Sequence, residues 1–294
     1  IKMQRNNFKY YIHLHLLVFI AGFTAILGEL ISISSIPLVW HRMLIASLLT
    51  LIYLIISKNK LSIDFKTFLK FSLPGIIIAL HWITFFEALE QSNISITLAM
   101  FSTAAFFTSF IEPLIFRRRI IYYEIIMGLL VITGVYLITM AEISYLNGII
   151  LGVLSALFSS LFSVFNGKLV KKYSPVIISF YEFLSGVVFI TLYLIITKSF
   201  SSIYIEGIFN LDYLYLFILG SVCTAYAFIA AVDLMKYLTP FTVVLTYNLE
   251  PVYGILLAIL LFPDQEKMSF MFYVGAILIL ATIIINSIIK NRSN

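Results

Sequence analysis

The sequence predicts an all-α polytopic membrane protein with ten transmembrane helices, arranged as two inverted five-helix repeats. Of its 294 residues, 62% are hydrophobic and 11% are charged, whereas an average soluble domain carries about 25% charged residues. The apolar residues form stretches of roughly 19–24 residues, each long enough to cross a hydrocarbon core about 30 Å thick. The third observation is a weak internal repeat with a period close to half the chain.

The predicted spans are helices, because backbone amides in lipid must be hydrogen-bonded within their own segment. Ser92-Asn93, Ser174-Pro175 and Thr239-Pro240 precede the fourth, seventh and ninth spans and offer capping side chains; proline is tolerated in a first helical turn. The predicted helices cover residues 12–31, 36–57, 71–89, 94–116, 122–141, 147–167, 176–197, 213–232, 239–262 and 269–289.

The lysines and arginines predict the orientation of these spans. Sixteen fall on the side that carries both chain ends, and only Lys198 and Lys267 fall on the opposite side. Basic residues are enriched in cytoplasmic loops, so both termini are expected in the cytoplasm and the protein in the cytoplasmic membrane. The sixteen are Lys2, Arg5, Lys9, Lys58, Lys60, Lys66, Lys70, Arg117, Arg118, Arg119, Lys168, Lys171, Lys172, Lys236, Lys290 and Arg292.

Internal matches indicate a duplicated five-helix unit. His41–Leu44 in the second span aligns with Tyr181–Leu184 in the seventh at a spacing of 140 residues, which pairs Arg42 with Glu182. Gly128 matches Gly275 at a spacing of 147 residues. The expected repeats are residues 1–144 and 145–294. Because five is odd, the second copy enters the membrane from the opposite side, a construction common among secondary transporters.

Composition excludes several classes of function. The lone cysteine, Cys223, lies in an apolar stretch, so neither a disulfide framework nor a cysteine metal site is available. The net charge of +5 is spread over loops and does not indicate nucleic-acid binding. No phosphate-binding glycine-rich loop, paired metal-binding acid motif or nucleophile elbow is present, so no cofactor and no metal are expected.

Ten helices in two halves, with the run Leu249-Glu250-Pro251-Val252, a short acidic connection and Gly275 in the second half, resemble the EamA-type transporters of the drug/metabolite transporter superfamily. The first half departs from that pattern, because Ala104 stands where a proline often follows the middle of the fourth helix. The resemblance implies a transporter that exports more often than it imports. It also implies that the fifth and tenth helices are peripheral.

Charged side chains inside a bilayer usually face the bundle interior or water. None lies deep in the fifth or tenth span, so the other eight helices are expected to surround a polar cavity. The charged and titratable residues of the predicted spans are Glu29, His41, Arg42, His81, Glu87, Glu112, Glu182 and Glu250.

Glu250 is the strongest candidate, since it lies near the middle of its span, where an acid is most costly. Pro251 cannot donate a hydrogen bond to the carbonyl of Tyr247, so the helix is expected to kink there. The Glu250 carboxylate, that carbonyl and the Asn248 amide would attract an ammonium group or a proton. The alternative is a protonated structural acid.

Arg42 and Glu182 occupy near-mirror positions of opposite sign. Arg42 is a candidate anchor for a substrate carboxylate; the alternative is a structural ion pair with Glu29 or Glu87. Glu182 is a candidate coupling residue for a proton or cation, and the alternative is that it extends toward the membrane interface.

Trp82 and Tyr247 lie in polar sequence neighbourhoods and are candidates for stacking on an organic substrate or for a cation–π contact. His81 is a candidate proton relay or a hydrogen-bonded core histidine. The predicted substrate-binding residues are therefore Arg42, Trp82, Tyr247, Asn248 and Glu250, and the predicted coupling residues are Glu250, His81 and Glu182.

The predicted function is secondary transport of a small organic metabolite, with an amino acid as one candidate, by alternating access of the two halves. The expected partners are that small molecule, the lipid bilayer and a coupling proton or cation, with no nucleic acid. The alternatives are an integral-membrane enzyme acting on a membrane-embedded substrate, and a non-transporting subunit or receptor.

Overall fold

The fold was analysed in a computed structural model that describes residues 2–58, 61–117, 122–207 and 210–292. Within these ranges the chain is helical and has no β-strand, as the predicted class requires. Three basic residues of the orientation argument, Lys60, Arg118 and Arg119, lie outside the described residues.

Ten helical segments follow one another along the described chain, and their bounds differ from the predicted ones by a few residues, apart from earlier starts of the first and third. They are α1 (Lys2–Leu30), α2 (Ser35–Ile56), α3 (Phe65–Gln91), α4 (Ile94–Phe101 and Ala104–Phe116), α5 (Tyr122–Ala141), α6 (Leu146–Leu169), α7 (Pro175–Ile196), α8 (Leu211–Leu234), α9 (Pro240–Tyr247 and Glu250–Leu261) and α10 (Phe270–Arg292).

Eight of the ten are long and apolar enough to cross a membrane, judged by length and composition over the described residues. The remaining two, α5 and α10, carry shorter apolar stretches at Ile126–Ala141 and Phe270–Thr282. Length and composition therefore support eight spans, and crossings by α5 and α10 remain a prediction.

Successive helices alternate in direction, and their ends lie at two opposite faces of the bundle. At one face, here called the terminus side, Tyr10 stacks on Tyr237 with ring centroids 4.0 Å apart. The Tyr181 hydroxyl donates to the carbonyl of Leu61 at 2.5 Å on the same face. The first contact joins the beginning of α1 to the end of α8, and the second joins the beginning of α7 to the connection between α2 and α3.

At the opposite face, here called the far side, Asn93 donates from Nδ2 to the carbonyl of Gln265 at 3.4 Å. The Ser269 amide donates to Glu142 Oε1 at 2.9 Å. These bonds place the beginnings of α4 and α10 beside the ends of α9 and α5. Helix α1 thus begins on the terminus side and α6 on the far side, so the two halves run in opposite directions.

Helix packing repeats when the two halves are exchanged. Each of α2, α4 and α5 packs against its own counterpart, α7, α9 and α10. The other large interfaces come in pairs. The α3–α6 interface corresponds to α8–α1, α3–α7 corresponds to α8–α2, and α4–α6 corresponds to α9–α1. This pattern is that of an inverted repeat about an axis passing between the halves.

Two central helices are interrupted at matching positions. Helix α9 breaks at Asn248 and Leu249, directly before Glu250-Pro251, as expected from the missing proline amide. Helix α4 breaks at Ser102 and Thr103 without a proline. There the hydroxyls of Ser102 and Thr103 donate to carbonyls three residues earlier, at 2.6 and 2.7 Å. Side-chain hydrogen bonds of this kind compete with the backbone hydrogen bonds of the helix. Helix α4 therefore breaks at this position although it has no proline there.

Carboxylates from neighbouring segments cap the beginnings of these two helices. Glu266 accepts hydrogen bonds from the amides of Ile94 and Ser95 at 3.0 and 2.9 Å. Glu112 accepts one from the Phe241 amide at 2.9 Å. Negative charge at a helix N-terminus is favourable, and these bonds tie α4 to the α9 half on each side of the bundle.

Two of the three predicted caps are present. The side chains of Asn93 and Thr239 accept hydrogen bonds from amides in the first turns of α4 and α9. Ser174 is wrong as a cap, since its side chain makes no capping bond at the beginning of α7. Pro175 occupies the first turn there and removes one of the amides that needs a partner.

Helices α5 and α10 cross at Gly134 and Gly275. A Cβ added at Gly134 would lie 2.9 Å from the carbonyl oxygen of Gly275, and one added at Gly275 would lie 2.8 Å from that of Gly134. Gly128, the sequence match of Gly275, packs instead against the ring of Phe106. Small residues permit the close backbone approach on which helix packing in lipid depends.

Candidate functional site

A cavity of about 110 Å³ lies between the two halves. One water molecule needs about 10–15 Å³, so the cavity has room for several. Its wall is supplied by α1, α2, α3, α4, α6, α8 and α9. Among the described residues neither α5 nor α10 contributes, as expected. Helix α7 contributes none either, so the expectation that eight helices line the cavity is wrong by one.

All five predicted substrate-binding residues line this cavity: Arg42, Trp82, Tyr247, Asn248 and Glu250. His81 lines it as well, whereas Glu182 does not. The rest of the wall is mostly apolar and aromatic, with Phe85, Phe101, Phe162 and Phe228 as its largest members.

Glu250 is the eleventh of the 22 residues of Pro240–Leu261, and its side chain is 5% exposed. The break before it leaves Glu250 and Pro251 to begin the second piece of α9. The carboxylate makes no hydrogen bond or ion pair with the described residues, and it faces the cavity. It therefore does not point outward into lipid.

Arg42 is held by an irregular turn of α8. Its Nε donates to the Thr224 hydroxyl at 2.6 Å, and its Nη2 lies 3.5 Å from the carbonyl of Cys223. Ser221–Tyr226 form a π-helical turn, in which the Thr224 hydroxyl donates to the carbonyl of Leu219 at 2.6 Å. π-bulges are frequent at functional sites.

The alternative that Arg42 forms a structural ion pair with Glu29 or Glu87 is wrong, since neither pair occurs among the described residues. Glu87 instead accepts hydrogen bonds from the Ser35 hydroxyl at 2.5 Å and the Gln91 amide at 2.7 Å. Glu29 lines a separate far-side pocket. The Arg42 side chain is 3% exposed and lies inside the bundle, away from these far-side carboxylates. It therefore forms its hydrogen bonds with the π turn of α8.

One nitrogen of Arg42, Nη1, is buried and has no hydrogen-bond partner among the described residues. The guanidinium lies over the Trp82 ring at 4.0 Å and over the Phe86 ring at 5.6 Å. Trp82 therefore makes a cation–π contact, as its position suggested, but with Arg42 of the protein itself. Asn248 presents a second buried nitrogen without a partner, Nδ2.

His81 is tied to helix α6. Its Nδ1 lies 2.9 Å from the hydroxyl and 3.0 Å from the carbonyl of Ser155, and the Ser155 hydroxyl donates to the His81 carbonyl at 3.1 Å. The ring stacks on Phe101 with centroids 5.4 Å apart. This is the hydrogen-bonded core arrangement, and a relay role remains a prediction.

Glu182 is completely buried, so the interpretation that it extends toward the interface is wrong. It accepts a hydrogen bond from Asn166 Nδ2 at 3.3 Å. Its backbone packs against Gly75, where an added Cβ would lie 2.5 Å from the Glu182 carbonyl oxygen. Arg42 has the mirror arrangement with Gly220, where the corresponding distance is 3.2 Å.

A second pocket of about 570 Å³ opens on the far side and is lined by Glu29, Glu90 and Glu266. Phe86 lines this pocket and also lies under the Arg42 guanidinium, which faces the central cavity. Phe86 packs against Gly28, where a Cβ would lie 2.5 Å from its ring. Arg42 and Phe86 thus separate the far-side pocket from the central cavity.

The central cavity extends toward the terminus side. Asn166 lies three residues before the end of α6, Met235 directly follows α8, and Val243 is in the first turn of α9; all three line the cavity. The closed layer of Arg42 and Phe86 lies at the other end.

Two residues that are important to this geometry, Asn166 and Thr224, were not among the site residues predicted from the sequence. Asn166 could have been found, since an amide in an apolar helix carries the same signal as a charge. Thr224 could not, because a threonine in an apolar span ordinarily bonds to its own backbone. Only the π turn brings its hydroxyl to Arg42.

Comparison with known proteins places these features in a family. The family model described as EamA-like transporter family matches residues 8–140 and 146–288. One solved crystal structure is similar over 96% of this chain and 98% of its own, with 14% sequence identity and a TM-score of 0.68; at that identity the likeness is one of fold. The search of curated proteins found no match. The two family matches cover most of both halves, and the chain belongs to the EamA-like transporter family of membrane proteins.

Proposed function

We propose that the protein is a secondary transporter of apolar or aromatic α-amino acids, exporting them across the cytoplasmic membrane through ten transmembrane helices in repeats 1–144 and 145–294. The observation that carries the proposal is the set of unpartnered groups in one cavity. Arg42 Nη1 and Asn248 Nδ2 are buried donors without a partner among the described residues. The Glu250 carboxylate is an acceptor that makes no hydrogen bond with those residues, and all three residues line the cavity. Buried polar groups are ordinarily hydrogen-bonded, so a ligand with matching groups would complete them.

An α-amino acid carries that complement. Its carboxylate would accept from Arg42 and Asn248, and its ammonium group would donate to Glu250. Charged hydrogen bonds of this kind are the strong ones. The aromatic wall, with Phe85, Phe101 and Phe162, would receive an apolar or aromatic side chain.

Alternating access supplies the transport step. The cavity reaches toward the terminus side, while Arg42 and Phe86 close it from the far side. Exchanging the conformations of two inverted halves would open the far side and close the terminus side. With both termini in the cytoplasm, as the basic residues predict, this structure would load substrate from the cytoplasm, which favours export.

The test is exchange of radiolabelled leucine and phenylalanine by purified protein in liposomes. We expect Arg42→Gln and Glu250→Gln each to reduce exchange about tenfold or more, because a hydrogen bond to a charged group contributes about 1.5–3 kcal/mol. The matched controls are Lys198→Gln and Asp264→Asn, which neutralise exposed residues in far-side connections.

Two results would contradict the proposal. Wild-type protein that exchanges neither amino acid would remove the substrate class. Equal losses in the cavity variants and in the surface controls would show that the cavity charges have no special role. A chemically altered amino acid recovered from the liposomes would favour the membrane-enzyme alternative instead.

A further inference from the structure

The buried acid of α7 has an environment different from that of Glu250. Glu182 is 0% exposed and lies outside the central cavity. Its one hydrogen-bond partner among the described residues is Asn166, whose Nδ2 donates to Oε2 at 3.3 Å. Asn166 as a whole residue is also 0% exposed, yet it forms part of the cavity wall. Asn166 therefore stands between Glu182 and the cavity.

Two oxygens of this pair, Oε1 of Glu182 and Oδ1 of Asn166, have no hydrogen-bond partner in the described part of the chain. Both are acceptors when the acid is ionised, so neither can satisfy the other. A single proton on Oε1 changes this, because a protonated carboxyl group has one donor. We propose that Glu182 and Asn166 form a proton-binding site, in which Oε1–H of the neutral acid donates to Asn166 Oδ1 while Asn166 Nδ2 donates to Oε2.

Among the residues that the structure describes, no cation pairs with Glu182. The charged or titratable groups of the packed helices are otherwise engaged or exposed: Arg42 of α2 is bonded to α8, His81 of α3 is bonded to Ser155, and Asp233 of α8 pairs with Lys236. Lys70 of α3 and Lys168 of α6 are exposed. An unpaired charge buried in lipid-embedded protein is expensive, and the neutral acid avoids that cost.

Position gives the site a role in the proposed transport cycle. Glu182 and Arg42 are counterparts in the two inverted halves, each packed on a glycine of the other half at Gly75 and Gly220. When the halves exchange conformations, the surroundings of both residues change together. Glu182 would take up a proton from cavity water at Asn166 in one state and return it in the other, which forms and breaks one O–H bond and requires no other reactant. This role rests on the proposed function; the proton site does not.

The test of the site is infrared spectroscopy of the purified protein at neutral pH, which requires no substrate. A protonated carboxyl group has a carbonyl stretch separate from the bands of a carboxylate. We expect the difference spectrum of wild type minus Glu182→Gln to contain this acid band. The difference spectrum for Asp264→Asn, which removes an exposed acid, should contain carboxylate bands only.

Glu182→Gln should fold normally, because its amide nitrogen can donate to Asn166 Oδ1 in place of the acid proton. A second variant, Asn166→Leu, removes both partners and should shift the acid band to higher frequency. Carboxylate bands, rather than an acid band, in the Glu182→Gln difference spectrum would overturn the proposal. An acid band whose frequency is unchanged in Asn166→Leu would also overturn it.

The coupling role has a separate readout. If wild-type liposomes exchange leucine, the pH dependence of net leucine efflux should be lost in Glu182→Gln, and a retained dependence would exclude Glu182 as the coupling residue. Absence of exchange in the wild type would refute the proposed function while leaving the infrared result standing.

Discussion

At the scale of single residues, the structure shows how a buried arginine is oriented. The π turn of α8 supplies the Thr224 hydroxyl to Nε of Arg42 and the Cys223 carbonyl to Nη2, and Trp82 lies against the guanidinium plane. These contacts leave Nη1 buried and without a partner among the described residues, in a side chain that lines the cavity. Arginine suits this role because its planar fork of donors holds several partners at once.

Thr224→Val should therefore destabilise the protein and weaken ligand binding together. Valine keeps the shape of threonine but removes the acceptor, which leaves Nε of Arg42 buried and unpaired at a cost of about 1–3 kcal/mol. Thermal unfolding in detergent and leucine exchange in liposomes measure the two effects. Thr224→Ser, which keeps the hydroxyl, is the control; if it matches Thr224→Val, the hydrogen bond is not the cause.

The position of Arg42 in its helix could be predicted from sequence, but its partners could not. The predicted depth of Arg42 in the membrane suggested Glu29 and Glu87 as its ion-pair partners, because they are predicted to lie in the same half of the bilayer. Glu87 is already bonded to Ser35 and Gln91. The true partners depend on the register of a π turn, which the pattern of apolar residues does not encode.

At the scale of helices, the breaks in α4 and α9 show two routes to the same geometry. Helix α9 uses Pro251, and α4 uses the hydroxyls of Ser102 and Thr103. Proline is an obvious sequence signal, whereas serine and threonine are common inside membrane helices. The second-half break was therefore predictable and the first-half break was not.

The crossing of α5 and α10 gives a prediction at this scale. Gly134→Leu or Gly275→Leu would place a side chain against the opposing backbone, where an added Cβ already lies within 2.9 Å of a carbonyl oxygen. Backbone cannot move aside as a side chain can, so we expect a loss of about 1–3 kcal/mol, measured as a lower unfolding temperature in detergent. Ile277→Leu, on the exposed face of α10, should have little effect; an equal loss there would contradict the crossing.

At the scale of the whole molecule, the inverted arrangement explains why the cavity lies between the halves. The helices that pack against their own counterparts include α2 with α7 and α4 with α9, and residues of these helices or their neighbours surround the cavity. A basic and an acidic residue, Arg42 and Glu182, occupy the counterpart positions, so the two halves are similar in backbone and different in chemistry. That asymmetry would let the two end states of a transport cycle differ in affinity and protonation.

Orientation in the membrane is tested by labelling in a Cys223→Ala background. Lys171 lies on the terminus side and Ser201 on the far side, and both are exposed. With basic residues facing the cytoplasm, a membrane-impermeant maleimide should label Ser201→Cys in intact cells and Lys171→Cys only after permeabilisation. The reverse pattern would invert the proposed direction of transport.

The sequence by itself determined the membrane class, the helical segments, the inverted duplication and the depth of Glu250, because hydropathy and helix length are properties of contiguous residues. The tertiary structure decided which groups meet: Arg42 with Thr224, Glu182 with Asn166, and Phe86 between two pockets. Those contacts join residues far apart in the chain, and their geometry depends on helix rotation and on breaks that change its phase. Local sequence patterns specify the segments, but packing specifies the rotation.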